Sequence, residues 1–152
     1  MMTFKVKKEM NFNTLKKILL ILLCLPFIGF GQNQEINWGE NLDLAFDSAS
    51  ISNKIIMIEF MAQWCPPCKK MEKETFSNER VIRKLNEFIL IKIDVDKQQD
   101  IAKEYNRNAK KYGGIGIPNI LFIDKEKNIV HQIVGFHNAS QLMTVLDSVL
   151  KQ

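Results

Sequence analysis

The run Ile55 to Phe60, apolar except for Glu59, stops just ahead of Trp64-Cys65-Pro66-Pro67-Cys68, and this join constrains the chain more than any other feature. An apolar run of this length, broken at a single position, is the pattern of a strand buried on both faces. Proline is tolerated in the first turn of a helix, where the backbone N–H groups have no intrahelical partner. The join therefore predicts a strand, a tight turn and a helix that starts at Cys65 and continues through Lys69 and Met71 towards Thr75. Such a strand needs cover on both sides, so the rest of the chain has to supply it.

The flanking patterns do so. Leu42, Ala45, Phe46 and Ala49 recur at helical spacing and predict an amphipathic helix over 40–52. A further helical turn or two is expected from Ser77, with Val81, Ile82 and Leu85 on one face, and then a strand from Phe88 to Asp94. Residues 98–112, with Ile101, Tyr105 and Tyr112, predict another helix stopped by Gly113-Gly114. Asn119 to Ile123 and Ile129 to Phe136 are strand-like runs joined by the charged turn Asp124 to Asn128. Asn138 followed by Gln141 resembles a capping box, opening a last helix whose apolar face is Leu142, Val145, Leu146 and Val149. The predicted order is helix, strand, helix, strand, helix, strand, strand, helix. That order packs as an α/β domain: a central mixed sheet with helices on both faces and the last two strands antiparallel.

Charge separates the chain into two parts. Residues 1–31 carry five Lys and one Glu, the whole of the net +4, whereas 32–152 hold 16 basic and 16 acidic side chains. The balanced part offers no patch for nucleic acid. Lys16 and Lys17 precede an apolar run from Ile18 to Phe30, and Gly29 and Gly31 stand at −3 and −1 to a cut before Gln32. This is the layout of a secretory signal, with Met10 an alternative initiator. We therefore expect a signal peptide at 1–31, export, and a mature domain at 32–152. An uncleaved membrane anchor is the alternative, disfavoured by Pro26 and the short apolar length. Leu23 stands before Cys24 where lipidation wants a small residue, and a cut after Gly31 removes Cys24 with the signal, leaving the expected mature chain with Cys65 and Cys68. Seven Gly, four Pro and no self-similar period exclude collagen-like and repeat architectures.

The two cysteines meet the physical requirements of a redox dithiol. Cys65 falls at the N-cap, where unpaired N–H groups and the helix dipole favour thiolate, the attacking species. Cys68 follows at N3, close enough to resolve a mixed disulfide formed at Cys65. Pro66 and Pro67 stiffen the loop, remove two N–H donors and bring no charge to the sulfur. The Cys65 pKa should fall only moderately, which leans towards a reductant, because a strongly stabilised reduced form is what makes a dithiol oxidising.

At this point the chain resembles the thioredoxin superfamily, particularly the C-terminal periplasmic domain of the DsbD-type reductases. The resemblance is carried by Ile56 to Phe76, then by I-K-I-D-V-D (Ile91 to Asp96), K-Y-G-G-I-G-I-P (Lys111 to Pro118) and V-G-F-H-N-A-S-Q-L (Val134 to Leu142), in the family's order. It implies a thioredoxin-like fold over about residues 36–152 and a periplasmic setting. It also implies a cis peptide bond before Pro118, with Ile117 and Pro118 presenting backbone to an extended substrate. Glu59 matches the family's buried acid, which relays a proton to the resolving cysteine, and Lys92 its nearby lysine. Two positions depart from the family pattern: the acid is Glu where Asp is usual, and Met61 stands where an aromatic residue is common.

Competing explanations remain for each feature. A static disulfide would close too small a loop to stabilise much. A four-ligand zinc site lacks a convincing pair in His131 and His137, which we give no role, and Lys69 stands where a haem attachment motif requires His. Trp64 either flanks the loop by packing or touches substrate. Glu59 and Lys92 are either a buried ion pair or a proton-handling pair. Asn138-Ala139-Ser140 fits a glycosylation pattern that capping already explains. The leading expectation is an exported thiol:disulfide oxidoreductase reducing protein disulfides, with no bound cofactor and no metal, recharged by a membrane electron-donor protein. In that scheme Cys65 attacks, Cys68 resolves, Glu59 moves the proton, and Trp64, Ile117 and Pro118 shape the groove. The alternatives are a disulfide oxidase or isomerase, or a cuprous-ion binding or delivery protein drawing on Met61 and Met71.

Overall fold

The computed structural model describes residues 35–106 and 116–151. Nine elements follow in order: α1 Leu42–Ser52, β1 Ile56–Met61, α2 Pro66–Glu74, α3 Glu79–Leu85, β2 Ile89–Asp94, α4 Gln99–Asn106, β3 Asn119–Ile123, β4 Ile129–Val134 and α5 Ala139–Val149. The four strands form one mixed sheet in the order β2-β1-β3-β4. β1 runs parallel to β2 and antiparallel to β3, which pairs antiparallel with β4.

The apolar run of β1 occupies the middle of the sheet, and alternation divides its side chains between two cores. Ile56, Ile58 and Phe60 join Ile91, Ile93, Leu121 and Ile123 beneath Leu42, Ala45, Phe46 and Ala49 of α1. On the other face Met57, Ile120, Phe122 and Ile133 pack with Met71 of α2, Val81 and Leu85 of α3, and Leu142, Leu146 and Val149 of α5. Glu59 shares this second face by register, so β1 delivers one carboxyl into a layer otherwise built from hydrocarbon.

Several ends differ from expectation for identifiable reasons. The two helical stretches expected after Cys65 are present as α2 and α3, with α3 beginning at Glu79 and not Ser77. Thr75 ends α2, its buried hydroxyl donating to His137 O at 2.6 Å, and the Asn78 side chain then caps α3 by accepting from Arg80 N and Val81 N. β4 stops at Val134, not Phe136, because Gly135 turns the chain at φ +87° while its N–H donates to Pro118 O at 2.7 Å. α4 starts at Gln99 and is described as far as Asn106. Tyr112, Gly113, Gly114, Cys24 and the expected signal peptide lie outside the described residues. Among the described residues no helix is long and apolar enough to cross a membrane.

Ahead of α1, Gly39 pairs in parallel with Ile91 and extends the outer edge of β2. A Cβ at this position would stand 3.0 Å from Ile91 Cδ1 and 3.3 Å from Leu90 O, so a larger residue would make the Ile91 side chain shift.

The expected capping box closes on α5. Asn138 Oδ1 accepts from Gln141 N, and Gln141 Oε1 accepts from Asn138 N, both at 2.9 Å. Asn138→Ala should lower unfolding free energy in urea by about 1 kcal/mol with an unchanged m-value. A variant as stable as the parent would show the box to be idle.

Candidate active site

Cys65 is the N-cap of α2, with extended backbone at φ −79° and ψ 107°. A side chain at this position can accept from the second or third helical N–H. Pro67 holds the second and has none, so the bond falls to the third: Cys68 N donates to Cys65 Sγ at 3.2 Å. The same two residues are joined as a disulfide with S–S 2.04 Å. Both are buried against Ala62, with Met61, Val95 and Ile117 around them. The N-cap geometry that orients the Cys65 sulfur thus also brings Cys68 to it.

The peptide bond Ile117–Pro118 is cis, and Ile117 O lies 3.6 Å from Cys65 Sγ. A disulfide sulfur carries no proton, so in this oxidised state the approach is a contact and not a hydrogen bond. Once reduced, the thiol can donate to that oxygen, whereas a thiolate is repelled by it. Trp64 is 64% exposed, and its N–H donates to Asp96 Oδ2 at 2.7 Å. A wide apolar surface therefore stands beside the disulfide, open to a binding partner.

Glu59 is 1% exposed and faces Lys92 across the β1–β2 pairing. Lys92 Nζ lies 3.5 Å from Glu59 Oε2 and 2.8 Å from Glu72 Oε2, and Glu59 Oε2 has no hydrogen-bond partner among the described residues. The nearer carboxylate is the exposed one on α2, so the buried acid is only partly compensated. Burial pushes its pKa up to about 7; Lys92 opposes the rise and Glu72 adds to it. A carboxyl poised there can both hold and release a proton near neutrality. Glu59 lines the same groove as Cys68, Met61, Glu72 and Lys92.

The fold thus gathers all the residues singled out from the sequence, Cys65, Cys68, Glu59, Lys92, Trp64, Pro66, Pro67, Ile117 and Pro118, at the join of β1 and α2 or in the groove beside it. Met71 is buried in the second core and so unavailable beside the sulfurs, while Met61 packs against them. His131 lies against the Phe122 ring, and His137 Nδ1 is 3.0 Å from Gly135 O. Among the described residues there is no group of three or more His, Cys, Asp or Glu placed to share a metal ion. Asp96, Glu72 and Trp38, which packs its ring under Lys92 at 4.6 Å, carried no local signal because each reaches the site through a contact distant in sequence.

A protein-family model described as a thioredoxin-like domain matches residues 42–150. The thiol:disulfide interchange protein DsbD of Yersinia pestis (strain Pestoides F) is 33% identical over 102 residues, which are 66% of this chain and 17% of that protein. The chain therefore spans only a small part of this relative's length. Among solved structures, a candidate disulphide-isomerase from Bacteroides thetaiotaomicron superposes with a TM-score of 0.63 at 26% identity, covering 80% of this chain and 98% of its own. A thioredoxin from Thermus thermophilus superposes with a TM-score of 0.61 at 22% identity, covering 76% and 88%.

The raised pKa of Glu59 fixes the sign of a stability effect. Between about pH 4.5 and about pH 7 the unfolded chain releases this proton while the folded chain keeps it, so stability falls as pH rises through that window and levels off above it. Relative to Glu59→Gln, the oxidised wild type should lose on the order of 3 kcal/mol across the window, read from urea unfolding at successive pH values. Parallel pH profiles for the two proteins would contradict this account of the buried acid.

Proposed function

The chain belongs to the thioredoxin-like family, and from that premise we propose that it is an exported thiol:disulfide oxidoreductase whose Cys65–Cys68 pair reduces disulfides in other proteins. The observation that carries the reading is the Cys65 sulfur itself, capping α2 with a bond from Cys68 N and facing Ile117 O. Residues 1–31 serve as the signal peptide and 32–152 as the mature domain, working in the periplasm.

In the reduced protein the Cys65 thiolate attacks one sulfur of a client disulfide. The client S–S bond breaks, a Cys65–client disulfide forms, and the departing client thiolate takes up a proton. Cys68 then gives its proton to the Glu59 carboxylate and attacks Cys65 Sγ. The mixed disulfide breaks, the second client sulfur leaves and is protonated, and two electrons have passed from the dithiol to the client. Trp64, Ile117 and Pro118 hold the client strand, and Lys92 tempers the charge on Glu59. The Cys65–Cys68 disulfide left behind is reopened by an external dithiol, supplied by a membrane electron-donor protein through the same exchange chemistry.

Direction follows from how well the Cys65 thiolate is stabilised. One N–H reaches the sulfur where a helix without prolines would offer more, and a carbonyl oxygen faces it. Both features leave the thiolate comparatively unfavoured, which makes the reduced form the better electron donor. Isomerase activity is the second reading, favoured by the likeness to the Bacteroides protein along almost its full length.

In a trapping experiment, Cys68→Ser should accumulate mixed disulfides with client proteins on non-reducing gels, and Cys65→Ser should not. Glu59→Gln should slow release of the mixed disulfide in the wild-type dithiol more than its formation. Failure of Cys68→Ser to trap any client would overturn the attack-and-resolve scheme.

A further inference from the structure

The short segment ahead of α1 reaches the groove from outside. Gly39 N donates to Leu90 O and Lys92 N donates to Gly39 O, both at 2.9 Å, so Trp38 is anchored by backbone at the edge of β2. Its ring packs edge-on against Phe76 at 5.3 Å between centroids and lies 4.6 Å from Lys92 Nζ. The indole N–H has no hydrogen-bond partner among the described residues. What this side chain offers its surroundings is therefore its π face, and an ammonium over that face is attracted by the ring quadrupole.

We infer that Trp38 is a positioning residue for Glu59, acting through Lys92: the indole face seats the ammonium between two carboxylates, 2.8 Å from Glu72 and 3.5 Å from Glu59, and so sets how much positive charge the buried acid feels. The importance of this for turnover rests on the proposed proton transfer between Cys68 and Glu59; the coupling itself is a property of the fold. Lys92 is 21% exposed and Glu72 55% exposed, whereas Glu59 is closed off. An ammonium released from the ring moves outward, to Glu72 and water, and leaves Glu59 harder to ionise. The groove that Glu59 lines also carries Lys69 of α2 and Asp94 of β2, with Glu40, Asp43, Lys97, Glu104 and Lys127 along its length, while β3 sets the apolar Ile120 opposite. None of these is held by the indole.

Two effects of removing the ring have opposite signs, which makes the test decisive. Loss of the seat raises the Glu59 midpoint; loss of a water-excluding cover would lower it. The full chain, oxidised and carrying carboxyl-labelled Glu, is titrated by NMR as wild type, Trp38→Met and Trp38→Phe. We expect the Glu59 midpoint to rise by about half a pH unit in Trp38→Met, a threefold change in the ionisation equilibrium, and to stay at the wild-type value in Trp38→Phe, which keeps an aromatic face. The rise should vanish when Lys92→Met is already present. Because Trp38→Met is the variant most at risk of misfolding, fluorinated tryptophan incorporated in a Trp64→Phe background provides the same test at nearly constant shape. Draining the ring quadrupole in steps should raise the Glu59 midpoint in steps. A midpoint that falls, that ignores fluorination, or that rises equally without Lys92 overturns the inference. A Glu59→Gln protein with unimpaired exchange would sink the proton-transfer reading and leave this coupling intact.

Discussion

A helix that opens with two prolines has one early N–H left within reach of its N-cap, and here it belongs to Cys68. That single bond, from Cys68 N to Cys65 Sγ at 3.2 Å, orders the rest of the site. It orients the first sulfur, places the second beside it, and leaves the first short of the donors that would make its thiolate stable. Everything around the join serves to hold it: β1 buried on both faces beneath it, Ile117 O across from it, and Trp64 pinned by Asp96 at its side.

The buried acid is the other fixed point, and its chemistry is a consequence of sheet register. Pairing Glu59 with Lys92 brings an ammonium to a carboxyl in a hydrocarbon layer, but the ammonium is shared with Glu72 and with the face of Trp38. A full ion pair would keep the acid ionised, and no partner at all would keep it protonated. Sharing leaves it poised between the two states, which is the condition for passing a proton to and from a thiol lining the same groove.

Much of this was legible from residue order alone. The apolar run of β1, broken only by Glu59, the helical spacing of Leu42, Ala45, Phe46 and Ala49, and the Asn138–Gln141 pair are local patterns, and the elements formed where those patterns lie. The Cys65-Pro66-Pro67-Cys68 spacing placed the sulfurs on the first turn of α2 for the same reason. What was not legible depends on contacts far apart in sequence. Trp64 and Asp96 are 32 residues apart, and Glu72 and Lys92 are 20 apart. No periodicity announces such pairs; they exist because β1 and β2 are neighbours and α2 crosses above them. The break between α2 and α3 falls between Thr75 and Ser77, where the sequence divides the two helices, but the Thr75 hydroxyl's bond to the His137 carbonyl was not legible, because only the folded chain brings the two together.

The account's central claim is that a sparsely stabilised Cys65 thiolate makes this dithiol an electron donor. The reduction potential of the purified protein, equilibrated against graded thiol buffers and read by alkylation of free thiols, tests it most directly. The account predicts a value near that of thioredoxin, roughly −270 mV; a value near roughly −120 mV would mean a well-stabilised thiolate and an oxidant.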